Sequence, residues 1–304
     1  MLRGVAAVLL AACGRVGFGV GDVASDAQGD APSDADPDNG TDASPCTFGP
    51  WSAPVLVVEL SSAADDYDPV FSDDGLEVVF ASFRNAGNRD LWRSTRPAIG
   101  ATWTTPVPIP ELSTPSDQEG NPTLSANGLE LYYGNSSVYR ATRATLQQPF
   151  VGMEDVTPDN ALFTNALAAD ITRDGLELYF GAIPVGTAKR QLFRARRASL
   201  GAGFQTFEPL PVTDTAFETG YPAISGDGLE IIYSREDSGW DLRSLTRAST
   251  TDTFGEDASL DVVNTAQYSE ADADLSSDGR ELIFNSDRPG LGGNDFYIST
   301  RECL

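Results

Sequence analysis

The chain predicts an all-β fold in which one antiparallel unit is written five times. Three periodic signals carry that reading. A turn flanked by alternating apolar residues recurs as FSDDGLEVVF, LSANGLELYY, ITRDGLELYF, ISGDGLEIIY and LSSDGRELIF; its glycines are Gly75, Gly128, Gly175, Gly228 and Gly279, so the steps are 53, 47, 53 and 51 residues. A short strand follows each turn and closes on Arg96, Arg143, Arg197, Arg247 or Arg301. An aromatic residue, Trp51, Trp103, Phe150, Phe204 or Phe254, stands 24 or 25 residues ahead of each glycine.

Each signal specifies one element. Asp-Gly or Asn-Gly between apolar runs is the strongest short-range hairpin mark, because the turn needs positive φ. The unit is therefore an aromatic-led strand, a hairpin and an exit strand, four short strands in all. No stretch has helical periodicity. A lone four-stranded sheet leaves two apolar faces uncovered, and repeats of this length bury them by stacking in a ring, which predicts a five-bladed β-propeller. The pattern begins on the aromatic-led strand near 51 to 60 and ends on the exit strand near 294 to 301. The first strand must then complete the last blade and fasten the ring.

Residues 1 to 12 read as an address. MLRGVAAVLLAACG carries one charge, Arg3, an apolar run and then Leu10-Ala11-Ala12-Cys13, which resembles a bacterial lipoprotein signal. The resemblance implies cleavage before Cys13 and lipidation of that residue, an attachment that lasts where several acyl chains are present. The apolar run is too short to span a bilayer, which takes about 20 apolar residues. Residues 13 to 46 then hold the lipidated cysteine and an Asp-rich tether. Between Asp22 and Pro45 there are seven aspartates and no basic residue, a composition that cannot offset its ordering entropy. Asp34, Asp36, Asp38 and Gly40 imitate a calcium loop, but the glycine falls one place late and Pro45 stands where the twelfth-position acid belongs. Residues 47 to 304 form the propeller. With Cys13 assigned to lipid, Cys46 and Cys303 remain, flanking the first and last closing strands. Antiparallel pairing brings them together, so an oxidising compartment yields a disulfide across the seam.

Composition removes whole classes of chemistry. The chain has 45 acidic residues against 20 basic ones, a net charge of -25, and no histidine. Histidine triads, Cys-His dyads and imidazole metal sites are excluded. The charge argues against nucleic acid and against an anionic membrane face as partners. Without the tether acids and Arg3 and Arg15, the remainder keeps 38 acids and 18 bases, so the acidity belongs to the folded ring and favours a cationic partner or divalent ions.

The innermost strand of each blade precedes its Asp-Gly turn. Nine residues ahead of the glycines stand Asp66, Glu119, Ala166, Thr219 and Glu270, with Glu218 adjacent; seven ahead stand Asp68, Asn121, Ala168, Tyr221 and Asp272. The simplest role for these acids is to accept backbone N–H groups where the inner strand begins. If Asp66, Asp68, Glu119, Glu270 and Asp272 instead gather at one channel mouth, mutual repulsion raises a carboxylate pKa or recruits calcium or another divalent cation. No other cofactor is expected. Carboxylate-only hydrolysis of glycans is the remaining enzymatic route, with Asp68 as base, Glu119 as modulator and Glu218 as acid. The exit-strand arginines read as ion pairs between blades, and Asp90, Asp241 and Asp295 as caps of the loop before the exit strand.

The last repeat, DADLSSDGRELIFNSDRPGLGGNDFYISTR, with Asp278, Gly279, Ser286, Asp287, Arg288, Gly293, Asp295 and Tyr297, resembles the TolB-type, WD-repeat-like propeller repeat of bacterial envelope proteins. The first matches through Pro69, Asp74, Gly75, Ser82, Arg84, Asp90 and Trp92; the second and third have lost the Ser-x-Arg segment and the Asp that opens the exit strand. The resemblance spans about residues 50 to 304. It implies a monomeric, non-catalytic binding or scaffold module that engages an envelope protein, one with a basic surface by charge. Its location is extracytoplasmic, at the outer membrane and held only by lipid. A glycan-binding or glycan-hydrolysing propeller is the alternative.

Overall fold

The computed structural model describes residues 46 to 304, except 86, 115 to 117, 135 to 136, 157 to 161, 213 to 215 and 256. Cys13 and the tether lie outside the described residues. Twenty strands form five four-stranded antiparallel sheets. Blade 1 holds β2 (Asp66–Phe71), β3 (Glu77–Ser82), β4 (Asp90–Thr95) and β5 (Val107–Pro108); blade 2 holds β6 (Thr123–Leu124), β7 (Glu130–Tyr133), β8 (Tyr139–Thr142) and β9 (Val151–Asp155). Blade 3 comprises β10 (Phe163–Ile171), β11 (Glu177–Pro184), β12 (Gln191–Arg196) and β13 (Thr206–Pro209), and blade 4 comprises β14 (Glu218–Ile224), β15 (Glu230–Glu236), β16 (Trp240–Thr246) and β17 (Ala258–Ser259). Blade 5 is β18 (Glu270–Leu275), β19 (Glu281–Ser286) and β20 (Asp295–Thr300), completed by β1 (Val55–Leu56), which pairs antiparallel with β20. A 3₁₀ turn at Pro110–Leu112 is the one helical element among the described residues, and none is long and apolar enough to cross a membrane.

Strand period explains why the blades stack. In β3, Val79 faces blade 2 while Val78 and Phe80 face blade 5; in β19, Ile283 faces blade 1 while Leu282 and Phe284 face blade 4. Both faces of each sheet are therefore apolar, and the five core clusters are the five interfaces between blades. Leu131, Leu178 and Ile231 are fully buried there, each contributing about 1.5 to 3 kcal/mol of burial.

The hairpins owe their shape to side chains as well as to glycine. Gly75 has φ +65° and its N–H donates to Ser72 O. The Ser72 hydroxyl donates to Asp74 Oδ1 (2.6 Å) and accepts from Glu77 N, and Asp74 Oδ1 accepts from Leu76 N. Ser125, Thr172, Ser225 and Ser276 repeat the arrangement.

The exit arginines and the leading aromatics form a single device. Each arginine donates Nε to the carbonyl of its own turn glycine, from Arg96 on Gly75 to Arg301 on Gly279. Each guanidinium lies over its blade's aromatic: Arg96 on Trp103, Arg143 on Phe150, Arg197 on Phe204, Arg247 on Phe254, and Arg301 on Trp51 and Phe48. Each also reaches the glutamate after the preceding blade's turn. The pairs are Arg143 with Glu77, Arg197 with Glu130, Arg247 with Glu177, Arg301 with Glu230 and, across the closure, Arg96 with Glu281. These five clasps complete a circle of interblade ion pairs.

At the seam, Cys46 and Cys303 form a disulfide that spans 257 residues of sequence. Phe48 bridges Cys303, Gly49 N donates to Glu302 O, and Ser52 N donates to Thr300 O.

Candidate functional site

The inner strands start at one mouth of the axial channel, and a bulge interrupts each of β2, β10, β14 and β18. Among the described residues, positive φ outside glycine occurs at Asp68, Asn121, Asn165, Tyr221 and Asp272, one in each blade (+49° to +54°). Asp and Asn tolerate this conformation through short polar side chains, whereas a tyrosine held there stores strain. In blade 3 the left-handed residue among those described is Asn165, and β10 carries two register shifts where the other bulged strands carry one.

Below the bulge, the channel narrows to a pocket lined by Asp68, Asn121, Asp170, Tyr221, Asp272 and Asp274, among others. Asp68 Oδ2 accepts from Asn121 N of blade 2 (2.8 Å) and pairs with Arg89 (3.4 Å). Asp274 Oδ2 accepts from Phe71 N of blade 1 (2.7 Å). Asp170 accepts from Thr123 Oγ1 of blade 2 and Ile224 N of blade 4, both at 2.7 Å. Channel acids thus join neighbouring blades through backbone amides. Burial, reinforced by the nearby Asp68 carboxylate, pushes Asp272 well above the ordinary carboxylate range. Burial and the Asp170 charge do the same to Asp274, and burial raises Asp170.

Two arginines bring counter-charge to the mouth. Arg89 lies where a Cβ on Gly120 would stand, 2.5 Å from its Nη2. Arg190 runs between Gly181 and Gly220, pairs with Glu218, and stacks over Tyr221 at 5.8 Å. Tyr221 meets Trp240 edge to face, with ring centroids 5.6 Å apart, and burial raises its pKa.

The remaining sequence-nominated acids are held elsewhere. Asp66 accepts from Ser62 N (2.7 Å) and Arg84 (2.6 Å), within blade 1. Glu119 Oε1 accepts from Thr114 N and Oγ1; burial raises its pKa against those bonds. Glu270 accepts from Thr265 N and Arg288, and burial raises it too. None of these three lines the channel, because the bulge turns the residue two places later toward the axis. Of the expected mouth acids, the structure brings Asp68 and Asp272 together. Among the described residues, no three His, Cys, Asp or Glu side chains are grouped to hold a metal ion. Asp295 takes the loop-cap position, accepting from Leu291 N and Gly292 N. The sequence reading missed Asp170, Asp274, Arg89 and Arg190. The two acids were findable five residues ahead of their turn glycines; the arginines were marked only by the glycines facing them.

No protein-family model matches the chain, and no curated protein matches its sequence. Solved structures match in fold. The catalytic domain of a GH62 α-L-arabinofuranosidase from Coprinopsis cinerea has TM-score 0.54 and 12% identity, over 84% of this chain and 99% of that one. A protein of unknown function from Dyadobacter fermentans has TM-score 0.52 and 12% identity, over 83% and 98%. A putative TolB from Agrobacterium tumefaciens has TM-score 0.46 and 15% identity, over 78% and 74%. Identities this low establish the propeller class and leave activity open.

Proposed function

We propose that the chain is a non-catalytic binding module of a bacterial cell envelope, anchored through lipid on Cys13 and docking a protein partner at the channel mouth. One observation carries the reading: each carboxylate that hydrolysis would require already has a partner. Asp68 is engaged by Arg89 and the Asn121 amide, Glu119 through Oε1 by Thr114 while its Oε2 is buried and unbonded, and Glu218 by Arg190. The mouth instead offers Tyr221 in a strained backbone conformation beside Trp240, with Arg89, Arg190 and Asp68 around it, a mixed aromatic and charged surface suited to recognition. The Cys46–Cys303 bridge supports an oxidising, extracytoplasmic location.

Arabino- and xylo-oligosaccharides incubated with the purified protein test this directly. The expected result is no cleavage; turnover that Glu119→Ala or Glu218→Ala abolishes would establish the hydrolase reading instead. Crosslinking in intact cells should capture a partner that Tyr221→Ala loses. For the anchor, fatty-acid label that survives Cys13→Ala would overturn the lipidation.

A further inference from the structure

Blade 3 departs from the other blades at two turn-face positions, and both departures are arginines. The residue before the clasp arginine is Thr95, Thr142, Thr246 or Thr300 in four blades and Arg196 in blade 3. The residue after the first turn hydroxyl is Asp73, Ala126, Gly226 or Ser277 in four blades and Arg173 in blade 3. Both line one open cleft shared with Thr172, Ser225, Thr250 and Arg247 of blades 3 and 4, where Arg173 also pairs with Asp73 of blade 1 (3.0 Å). The lining sets four arginines, Arg173, Arg196, Arg197 and Arg247, against Asp174, Glu177 and Asp227, in a chain of net charge -25.

Arg247 adds an independent observation. It is 8% exposed, its Nε donates to Gly228 O, and its Nη2 lies 3.9 Å from Glu177 Oε2, while Nη1 has no hydrogen-bond partner. The equivalent arginine of the sister cleft between blades 1 and 2 is satisfied: Arg143 donates Nη1 to Leu146 O (3.3 Å) and Nη2 to Glu77 Oε2 (3.2 Å). Arg96 donates both Nη atoms to Glu281. The difference arises because Glu177 is drawn toward its own blade, accepting from Arg196 Nε (2.9 Å) and Tyr179 Oη (2.7 Å). A buried guanidinium nitrogen without an acceptor carries a desolvation cost that an oxyanion relieves. We infer that the cleft between blades 3 and 4 binds an oxyanion group, carboxylate or phosphate, gripped at the rim by Arg196 and Arg173 and at the floor by Arg247. This site lies at the turn ends of the inner strands, away from the mouth proposed for the protein partner, and stands independently of that proposal.

Calorimetric titration of the whole protein at low salt, with inorganic phosphate in one arm and acetate in the other, tests the site. Saturable binding in either arm is expected, and the responding arm identifies the oxyanion source. Arg196→Thr, which installs the residue of the other four blades, should weaken it about tenfold. Arg93→Thr, in the sister cleft, should bind as the parent does. Absence of saturable binding in both arms, unchanged affinity in Arg196→Thr, or an equal loss in Arg93→Thr would overturn the site. Arg173→Ser provides the same readout if Arg196→Thr fails to fold.

Discussion

The interface between blades 5 and 1 and the two interfaces of blade 3 are made from the same parts with different results. At the closure, Arg96 holds Glu281 with both terminal nitrogens, Asp274 accepts the Phe71 amide, and the disulfide and β1 fasten the outer edge. Around blade 3, the clasps are stretched to 3.7 Å (Arg197 to Glu130) and 3.9 Å (Arg247 to Glu177). Their glutamates serve other arginines: Arg140 takes Glu130, and Arg194 and Arg196 take Glu177. The ring is closed most firmly where the chain's two ends meet. A closure without covalent continuity around the circle needs that reinforcement, whereas blade 3 is held in place by its neighbours in sequence.

The largest expected effect tests the seam. In the chain-entropy account, a loop of this length confers about 5 kcal/mol, so reductant or Cys46→Ser with Cys303→Ser should lower the urea midpoint strongly. Equal midpoints with and without reductant would show that β1 pairing alone closes the ring. Next is the contrast between clasps. Arg96→Met leaves the Glu281 carboxylate buried without its cation and should cost about 3 kcal/mol. Arg247→Met loses the same glycine and aromatic contacts but a weaker ion pair, and should cost at least about 1 kcal/mol less. Equal losses would mean that the shared contacts, not the ion pairs, set clasp strength.

The fold was legible because its determinants sit at fixed offsets from a turn that sequence marks clearly. Gly75 and its four counterparts, the arginines and the aromatics all obey the repeat, so blade number, closure and the Cys46–Cys303 bridge could be read directly. The channel was less legible because a bulge breaks the period of two. Extrapolating alternation from Asp68 also nominates Asp66, yet only Asp68 reaches the axis; in blade 3 a second register shift follows Thr164 with no local residue signalling it. Asp170 and Asp274 share an offset of five residues from their turn glycines, but their role follows from backbone amides of adjacent blades that a linear pattern does not juxtapose.

Those two acids provide the smallest and most discriminating comparison. A buried carboxyl whose folded pKa is raised binds its proton more tightly in the folded state than in the unfolded one. It therefore contributes nothing below the unfolded value of about 4 and becomes destabilising as pH rises through the folded value. Asp274 is raised well above the ordinary range by burial and the Asp170 charge; Asp170 is raised by burial, opposed by three hydrogen bonds from Thr123, Ile171 and Ile224. Asp274→Asn keeps an acceptor for the Phe71 amide but removes the ionisation, so its stability relative to the parent should improve between pH 4 and pH 7. Asp170→Asn should show the same sign with a shallower slope, since its carboxylate is better served by donors. Chemical denaturation of both variants across that range measures the two slopes. A flat difference for Asp274→Asn would mean that the axis between blades 5 and 1 carries no ionisation cost, leaving the clasps and disulfide alone to distinguish the closure from blade 3.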